Sequence, residues 1–232
     1  MNAQHLFAKA ADQPFLTPQD RIIQAYIEHH DNDLILSTSF GADSAVLLHM
    51  ATRILPRIPV VFVNTGYLFE ATLEYAEALT KQLDLNLHTY HPLRSSEKQE
   101  AIHGRRWEGD ESAKASYNLE NKVEPMNRAV KELGATGWLS GLRRGQSERR
   151  KNLDYTEEQG RLVKYYPILD MTSKDIYYYK KEHGLPDHPL TAEGYTSIGD
   201  WHSSAPGWQR AECGLHDSSV APRINANNNF VI

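Results

Sequence analysis

The sequence has almost no cysteine: Cys213 is the only one among its 232 residues. A single thiol cannot form a disulfide within its own chain, and one chain cannot build a metal site from several cysteine ligands. Any thiol chemistry at Cys213 that needs a second thiol must therefore take it from another molecule.

The sequence also lacks long apolar runs and an excess of positive charge. No stretch approaches the length needed to cross a membrane, and residues 1–6 show no basic stretch followed by an apolar one. We therefore expect a soluble, cytoplasmic protein. The formal net charge of −5 gives no general attraction to nucleic acid or acidic membranes, so any anion site has to be local.

What is present suits one compact domain with a substantial core, since 40% of the residues are hydrophobic and 24% are charged. Short apolar or β-prone runs predict strands at residues 34–36, 60–63, 85–90 and 138–139. Apolar residues at helical spacing predict helices around residues 46–54, 73–83 and 123–133. This alternation predicts an α/β fold with a mainly parallel sheet and helices on both faces, which binds ligands beyond the carboxyl ends of its strands.

The end of the chain has a different pattern. Thr172 and Asp175 form a Thr-x-x-Asp cap pattern that predicts a further helix ending near Gly184. From about Leu190 onward, periodicity fades and glycine and proline recur. We therefore predict an α/β domain over residues 1–190 and a mobile C-terminal segment over 191–232, which could carry Cys213 over a bound ligand.

A small-residue loop joins the first predicted strand to the first predicted helix. Backbone N–H groups at such a helix start attract anions, and the serine hydroxyls can donate to phosphate or sulfate oxygens. An ordinary β-α turn capped by Asp43 or Ser44 is the alternative interpretation. The candidate ligand-binding residues of this loop, which would make residues 1–190 a nucleotide-binding domain, are Ser37, Ser39, Gly41, Asp43 and Ser44.

The loop resembles the phosphate loop of the adenine-nucleotide α-hydrolase group, whose usual form is Ser-Gly-Gly-Lys-Asp-Ser. Here Phe40 stands at the first glycine and Ala42 at the lysine. The resemblance implies an adenine-nucleotide α-hydrolase-like fold. The missing lysine disfavours attack on ATP and favours a ligand whose 5' phosphate is joined to another oxyanion.

Later motifs resemble those of the sulfonucleotide reductases, in the same order along the chain. The most specific is Glu-Cys-Gly-Leu-His at residues 212–216. The others are Val-Asn-Thr-Gly-Tyr-Leu-Phe at 63–69, Lys-Val-Glu-Pro-Met at 122–126, Ser-Gly-Leu-Arg-Arg at 140–144, Tyr-Pro-Ile-Leu-Asp at 166–170 and Gly-Tyr-Thr-Ser-Ile-Gly-Asp at 194–200.

That family has a branch that reduces adenylyl sulfate with an iron–sulfur cluster and a branch that reduces 3'-phosphoadenylyl sulfate without one. The places of the four cluster cysteines hold Tyr117, Asn118, Asp200 and Ser203 here. A cluster of that kind needs thiolate ligands. The resemblance therefore implies the phosphorylated substrate, no iron–sulfur cluster, no metal and no other cofactor.

The resemblance also implies roles for single residues. Cys213 would be the nucleophile that attacks the sulfur and forms an S-sulfocysteine, with His216 and Arg210 favouring its thiolate. Lys122, Arg143 and Arg144 would bind the phosphate and sulfate oxygens, and Arg210 is also a candidate substrate-binding residue. Arg149, Arg150 or Lys151 could reach the 3'-phosphate, and the sequence does not rank them.

With one cysteine on the chain, the thiol that releases sulfite must come from outside, and thioredoxin or glutaredoxin fits this need. The expected partners are thus a thiol donor and the sulfonucleotide, with a homodimer possible. Two alternatives remain: an ATP-dependent adenylating enzyme of the same loop superfamily, or an adenylyl-sulfate reductase without a cluster. A non-enzymatic nucleotide-binding redox sensor is a further alternative, which turnover with thioredoxin would exclude.

Overall fold

The computed structural model describes residues 16–29 and 33–207. Its helices are α1 (Pro18–His29), α2 (Ser44–Ile54), α3 (Glu70–Leu83), α4 (Ser96–His103), α5 (Glu111–Asn118), α6 (Glu124–Glu132) and α7 (Ser173–Glu182). Its strands are β1 (Leu34–Thr38), β2 (Val60–Val63), β3 (Leu87–Tyr90), β4 (Gly137–Leu139), β5 (Thr156–Gln159) and β6 (Leu162–Tyr165). Within these residues, no helix is both long and apolar enough to span a bilayer.

The strands of the described chain form a six-stranded sheet in the order β3-β2-β1-β4-β6-β5. All neighbours are parallel except β5 and β6, which pair as an antiparallel hairpin at one edge. The strand order reverses between β1 and β4, so the connections that follow these two strands leave in opposite directions. A crevice therefore opens beyond their carboxyl ends, where doubly wound folds bind ligands.

Both faces of the sheet are covered, because its central strands alternate side chains between two apolar clusters. Leu34 and Leu36 of β1 pack with helices α1, α2 and α3 in the larger cluster. Ile35 of the same strand packs with Trp138 and the apolar side of α6 in the other. The predicted α/β fold, a mainly parallel sheet with helices on both faces, is confirmed.

The prediction was incomplete at the edge of the sheet and between its core strands. The β5–β6 hairpin was missed because β5 reads Thr-Glu-Glu-Gln, a polar sequence suited to an edge strand and not to a core strand. Helices α1, α4 and α5 were not predicted. Helix α7 begins as predicted: the Thr172 hydroxyl accepts from the Asp175 N–H at 3.2 Å, and the Asp175 carboxylate accepts from the Thr172 N–H at 2.8 Å.

The described part of the C-terminal segment packs against the α/β domain. Asp200 pairs with Leu68 in an isolated antiparallel bridge, and the Trp201 N–H donates to the Tyr67 carbonyl at 2.8 Å. Residues 190–207 therefore form one wall of the domain. Cys213, His216 and Arg210 lie outside the described residues, and the proposed domain boundary at 190 stays a prediction.

His188 joins this last stretch to α3 from a fully buried position. Its Nε2 lies 3.0 Å from the Thr72 hydroxyl, and its Nδ1 accepts from the Leu190 N–H at 3.2 Å. The Nδ1 acceptor role requires the neutral imidazole. Burial lowers the pKa of His188 to about 4.

This buried imidazole predicts a loss of stability in mild acid. His188 takes up a proton near pH 6.5 in the unfolded chain but only near pH 4 in the folded chain. Its contribution to stability is therefore complete above pH 6.5 and is lost as the pH falls from 6.5 to about 4. We expect the free energy of unfolding of wild type, measured by urea titration, to fall by about 3 kcal/mol more than that of His188→Gln between pH 7 and pH 4.

The matched control for this measurement is Thr72→Val. It removes the partner hydroxyl and keeps the imidazole, so the pH dependence should persist while overall stability drops. If wild type and His188→Gln lose stability in parallel, the buried neutral histidine is not the cause.

Candidate active site

A pocket lies in the crevice beyond β1 and β4. Its walls come from the loop after β1, the Ser-Gly-Leu stretch after β4, the turn before α6 and the Ser-Ile-Gly-Asp stretch at 197–200. The last wall belongs to the C-terminal segment. The polar side chains that line the pocket are Ser37, Thr38, Ser39, Asp43, Ser44, Thr65, Lys122, Ser140, Gln146, Arg150, Ser197 and Asp200.

The loop after β1 departs from the usual glycine pattern without losing its shape. Phe40 has a φ of 48°, a left-handed conformation that favours glycine, and it stands at a glycine position of the related loops. Its ring is fully buried and meets Phe62 edge to face at a centroid distance of 4.9 Å. Burial of this ring offsets the backbone strain, so the loop keeps a glycine-like turn without the glycine.

Gly41 of the same loop lies where close packing leaves little room for a side chain. A Cβ at this position would lie 3.2 Å from the Ile198 carbonyl oxygen, so the loop and the 197–200 wall approach each other through backbone. The Ser44 hydroxyl donates to the Gly41 carbonyl at 2.8 Å. Of the predicted loop residues, all five line the pocket, and Ser44 also holds the turn.

Ser37 is oriented by a buried tryptophan. The Trp138 indole N–H donates to the Ser37 hydroxyl oxygen at 2.7 Å. Because this donor occupies one side of the oxygen, Ser37 can direct its own proton to a ligand oxygen. The Lys164 ammonium lies over the Trp138 ring at 4.5 Å, and burial lowers the pKa of Lys164 to about 8.

Arg143 lies beneath the loop and not among the residues that line the pocket. The side chain is 5% exposed and pairs with the Asp43 carboxylate, while its Nη1 donates to the Met171 carbonyl at 3.1 Å. Arg143 thus ties the loop to the chain that precedes α7.

The Arg144 side chain points away from the pocket, toward Asp170 and Leu153. It pairs with Asp170 and donates through Nη2 to the Leu153 carbonyl at 2.8 Å, and its guanidinium lies 4.9 Å from the Tyr155 ring centroid. It does not line the pocket. The structure therefore does not bring Arg144 to the phosphate-binding position that the resemblance implied.

Of the basic residues Arg149, Arg150 and Lys151, only Arg150 lines the pocket. Arg150 is 7% exposed, lines the pocket and donates to the Gln146 side chain, which lines it too. Lys151 is exposed and pairs with Glu148 at 2.7 Å. Among Arg149, Arg150 and Lys151, the structure therefore favours Arg150 for contact with a ligand.

Lys122 reaches the pocket from a π-helical turn, Leu119–Val123, between α5 and α6. Turns of this kind insert an extra residue into a helix and often occur at functional sites. The side chain is buried, and its ammonium lies 2.9 Å from a carboxylate oxygen of Asp200. The sequence pointed to Lys122 but not to this partner.

The Asp200 carboxylate is 1% exposed and accepts from the Thr65 hydroxyl at 2.5 Å and from the Tyr117 hydroxyl at 2.9 Å. Burial alone would raise the pKa of Asp200, but the Lys122 charge and these hydrogen bonds outweigh it, so the pKa lies below its usual value. The sequence signal for this network was present, because Tyr117 and Asp200 stand where related proteins have cluster cysteines.

Over residues 16–29 and 33–207, no group of three or more metal-ligating side chains of the His, Cys, Asp or Glu type comes together.

Comparisons with known proteins agree with this arrangement. The phosphoadenosine phosphosulfate reductase domain model matches residues 33–206. A phosphoadenosine 5'-phosphosulfate reductase of Xylella fastidiosa strain M12 is 44% identical over 216 residues, covering 88% of this chain and 90% of the relative. One from Synechococcus sp. is 43% identical over 223 residues, covering 90% and 94%. The chain belongs to the phosphoadenosine phosphosulfate reductase family.

Solved structures support this family membership. A phosphoadenylyl-sulfate reductase from Candida auris, in a phosphate complex, superposes with a TM-score of 0.73 at 28% identity, covering 88% of this chain and 98% of that one. An FMN adenylyltransferase of Candida glabrata has a TM-score of 0.56 at 14% identity, with 85% and 70% coverage, and shows the fold alone. The oxidoreductase class predicted from the sequence is confirmed by the reductase family.

Several pocket residues of this family member were not assigned a role from the sequence. Ser140 and Ser197 belong to motifs that carried the resemblance, yet no chemistry was attached to them. Gln146 had no sequence signal at all, since a glutamine among arginines reads as a solvated surface residue. The structure assigns all three to the pocket lining.

Proposed function

We propose that this protein reduces 3'-phosphoadenylyl sulfate to sulfite and adenosine 3',5'-bisphosphate, with reduced thioredoxin as the thiol donor, in the cytoplasmic assimilation of sulfate. The observation that carries the proposal is the pocket at the β1–β4 crevice. It combines a serine-rich anion loop with a buried lysine and a buried arginine in a chain of this reductase family.

The pocket supplies the local positive charge that the chain as a whole lacks. Its loop leads into α2, whose N-terminal N–H groups attract anions, and Ser37 and Ser39 add hydroxyl donors. We assign this end of the pocket to the 5' phosphosulfate. Arg150, on another wall, is our candidate for the 3'-phosphate because its guanidinium can donate to phosphate oxygens in pairs.

The chemistry begins with the Cys213 thiolate. Its sulfur attacks the sulfonate sulfur, an S–S bond forms, the S–O bond to the nucleotide breaks, and adenosine 3',5'-bisphosphate leaves with the electron pair. Fixed donors such as Lys122 offset the repulsion between a thiolate and an anionic sulfate. His216 and Arg210 would favour the thiolate form of Cys213.

Release of sulfite needs a second thiol. A thioredoxin thiolate attacks the Cys213 sulfur and expels sulfite, and the second thioredoxin cysteine then resolves the mixed disulfide. Thioredoxin is thereby oxidised by two electrons and sulfate sulfur is reduced to sulfite. Glutaredoxin could supply the same thiols, and a homodimer remains compatible with this scheme.

We also propose that the enzyme works without an iron–sulfur cluster, as the identity of the residues at the four cluster positions suggests. Tyr117 and Asp200 bind each other directly at this place, and neither offers a thiolate. Iron quantification on protein purified without air is the check on this proposal, and stoichiometric iron would contradict it.

A sulfite-release assay tests the function as a whole. With reduced thioredoxin, we expect sulfite from 3'-phosphoadenylyl sulfate and a much lower kcat/KM for adenylyl sulfate. Equal kcat/KM for both sulfonucleotides would contradict the proposed substrate. Release of pyrophosphate from ATP would indicate the adenylating alternative instead.

A further inference from the structure

Asp200 stands at the junction of the pocket with the C-terminal segment. Its own backbone pairs with Leu68, and the residues just before it, Ser197 to Gly199, form a pocket wall against the loop after β1. Its carboxylate points inward to Lys122, Thr65 and Tyr117. A buried carboxylate in this position holds two walls of the pocket together through one ion pair.

The protonation states in this network follow from its hydrogen bonds. Tyr117 donates its only proton to Asp200 at 2.9 Å, so its oxygen accepts from His202 Nε2, which also lies at 2.9 Å. His202 therefore carries its proton on Nε2, and its buried Nδ1 has no hydrogen-bond partner. A second proton on His202 would be buried without an acceptor, and burial accordingly lowers the pKa of His202.

The two tyrosines beside the pair, Tyr117 and Tyr67, are also uncharged. Burial raises the pKa of Tyr117, and the charge of Asp200 raises it further. Burial raises the pKa of Tyr67, whose ring meets His202 edge to face, to about 12. Arg106, 5.9 Å from the Tyr117 ring centroid, pairs with Glu120 at 2.8 Å. The Lys122 ammonium forms its ion pair, at 2.9 Å, with the Asp200 carboxylate.

We propose that Asp200 is a positioning residue, which keeps the buried Lys122 ammonium charged and holds it at the pocket wall so that it can donate to an oxyanion of the substrate. An ammonium carries several N–H donors and can serve a carboxylate and a ligand oxygen together. The inference rests on the proposed function for the identity of the substrate. Without Asp200, Lys122 would be neither held at the pocket wall nor kept charged.

Lys164 is a second buried lysine, and among the described residues no carboxylate lies within ion-pair distance of it. Lys164 is 3% exposed, and burial lowers its pKa to about 8 even though Glu157 acts against this shift. An amine that loses its proton near pH 8 cannot supply a fixed positive charge across the physiological range. The contrast predicts that removal of the Asp200 charge makes the enzyme sensitive to mild alkali.

The test is Asp200→Asn, an isosteric change that removes the charge and keeps an acceptor for Thr65. Activity is read as single-turnover release of adenosine 3',5'-bisphosphate by excess enzyme without thioredoxin, from pH 7 to pH 10. We expect the rate at pH 7 to fall about tenfold and its decline in alkali to begin at least about one pH unit lower than in wild type. Circular dichroism and thermal unfolding check that the variant is folded.

Two further variants separate positioning from a general structural role. Asp170→Asn breaks ion pairs with Arg144 and Arg21 outside the pocket, and it should leave the pH profile unchanged. Lys122→Arg introduced into Asp200→Asn should return the alkaline decline to the wild-type pH, because a guanidinium stays charged throughout this range.

A folded Asp200→Asn protein with the wild-type pH profile would overturn the proposal, and so would a double variant that keeps the shifted decline. If Asp200→Asn does not fold, Lys122→Arg alone decides. It should extend activity to higher pH, and an unchanged profile would again overturn the assignment. Wild-type protein that turns over neither sulfonucleotide would contradict the proposed function itself, which is a different result.

Discussion

Replacement of Cys213 by serine is expected to abolish sulfite production while nucleotide binding stays close to that of wild type. The proposed phosphate and sulfate contacts lie in the pocket walls, on residues far from Cys213 in the sequence. A hydroxyl is a much weaker nucleophile than a thiolate at neutral pH, so the first covalent step fails. Calorimetric titration with adenosine 3',5'-bisphosphate and a sulfite assay measure the two properties separately.

Wild-type enzyme without thioredoxin provides the complementary result. Mixing it with 3'-phosphoadenylyl sulfate should release one equivalent of adenosine 3',5'-bisphosphate and then stop, because each chain has one cysteine to modify. Intact-mass analysis should show one added SO3 group, mapped to the peptide that contains Cys213 and lost as sulfite when reduced thioredoxin is added. Modification at another residue, or sulfite production by Cys213→Ser, is incompatible with the mechanism.

Replacement of Arg150 by glutamine is expected to erase most of the preference for the 3'-phosphorylated substrate. Charge-assisted hydrogen bonds to a phosphate typically contribute about 2 kcal/mol, which corresponds to about a 30-fold loss in kcat/KM for 3'-phosphoadenylyl sulfate. The kcat/KM for adenylyl sulfate, which has no 3'-phosphate, should change little. The ratio of the two values is therefore the quantity to measure.

Neighbouring basic residues provide matched controls for this experiment. Lys151→Gln removes the same charge at an exposed position paired with Glu148, and Arg149→Gln removes it at another exposed position. Both should leave the substrate ratio near the wild-type value, since neither residue lines the pocket. A loss of preference in either control and not in Arg150→Gln would move the 3'-phosphate site to that residue.

The fold class was predictable because its signals are local in the sequence. The central strands are short apolar runs, and the helices between them repeat apolar residues at helical spacing, so a segment of a dozen residues carries enough information. The polar hairpin β5–β6 lacks that signal. Its strands are stabilised by pairing with each other and with β4, and pairing of this kind is not visible in one segment of chain.

The loop after β1 was equally accessible to sequence reasoning, because a strand, small residues and a helix start occur in succession. All of its predicted residues line the pocket. The four positions that lack cluster cysteines could also be identified, since this depends on residue identity alone. What the sequence did not predict was that Phe40 would keep a left-handed turn through burial of its ring.

The sequence by itself determined the α/β class, the anion loop, the family motifs and the single thiol. Only the tertiary structure decided which of the candidate cations reach the pocket. Lys122 and Arg150 line it, whereas Arg143 pairs with Asp43, 100 positions away, and Arg144 pairs with Asp170. The Tyr117–Asp200 contact likewise joins residues 83 positions apart. Neighbouring arginines have the same local preferences, and the direction of each side chain depends on which carboxylate the packed fold places within its reach.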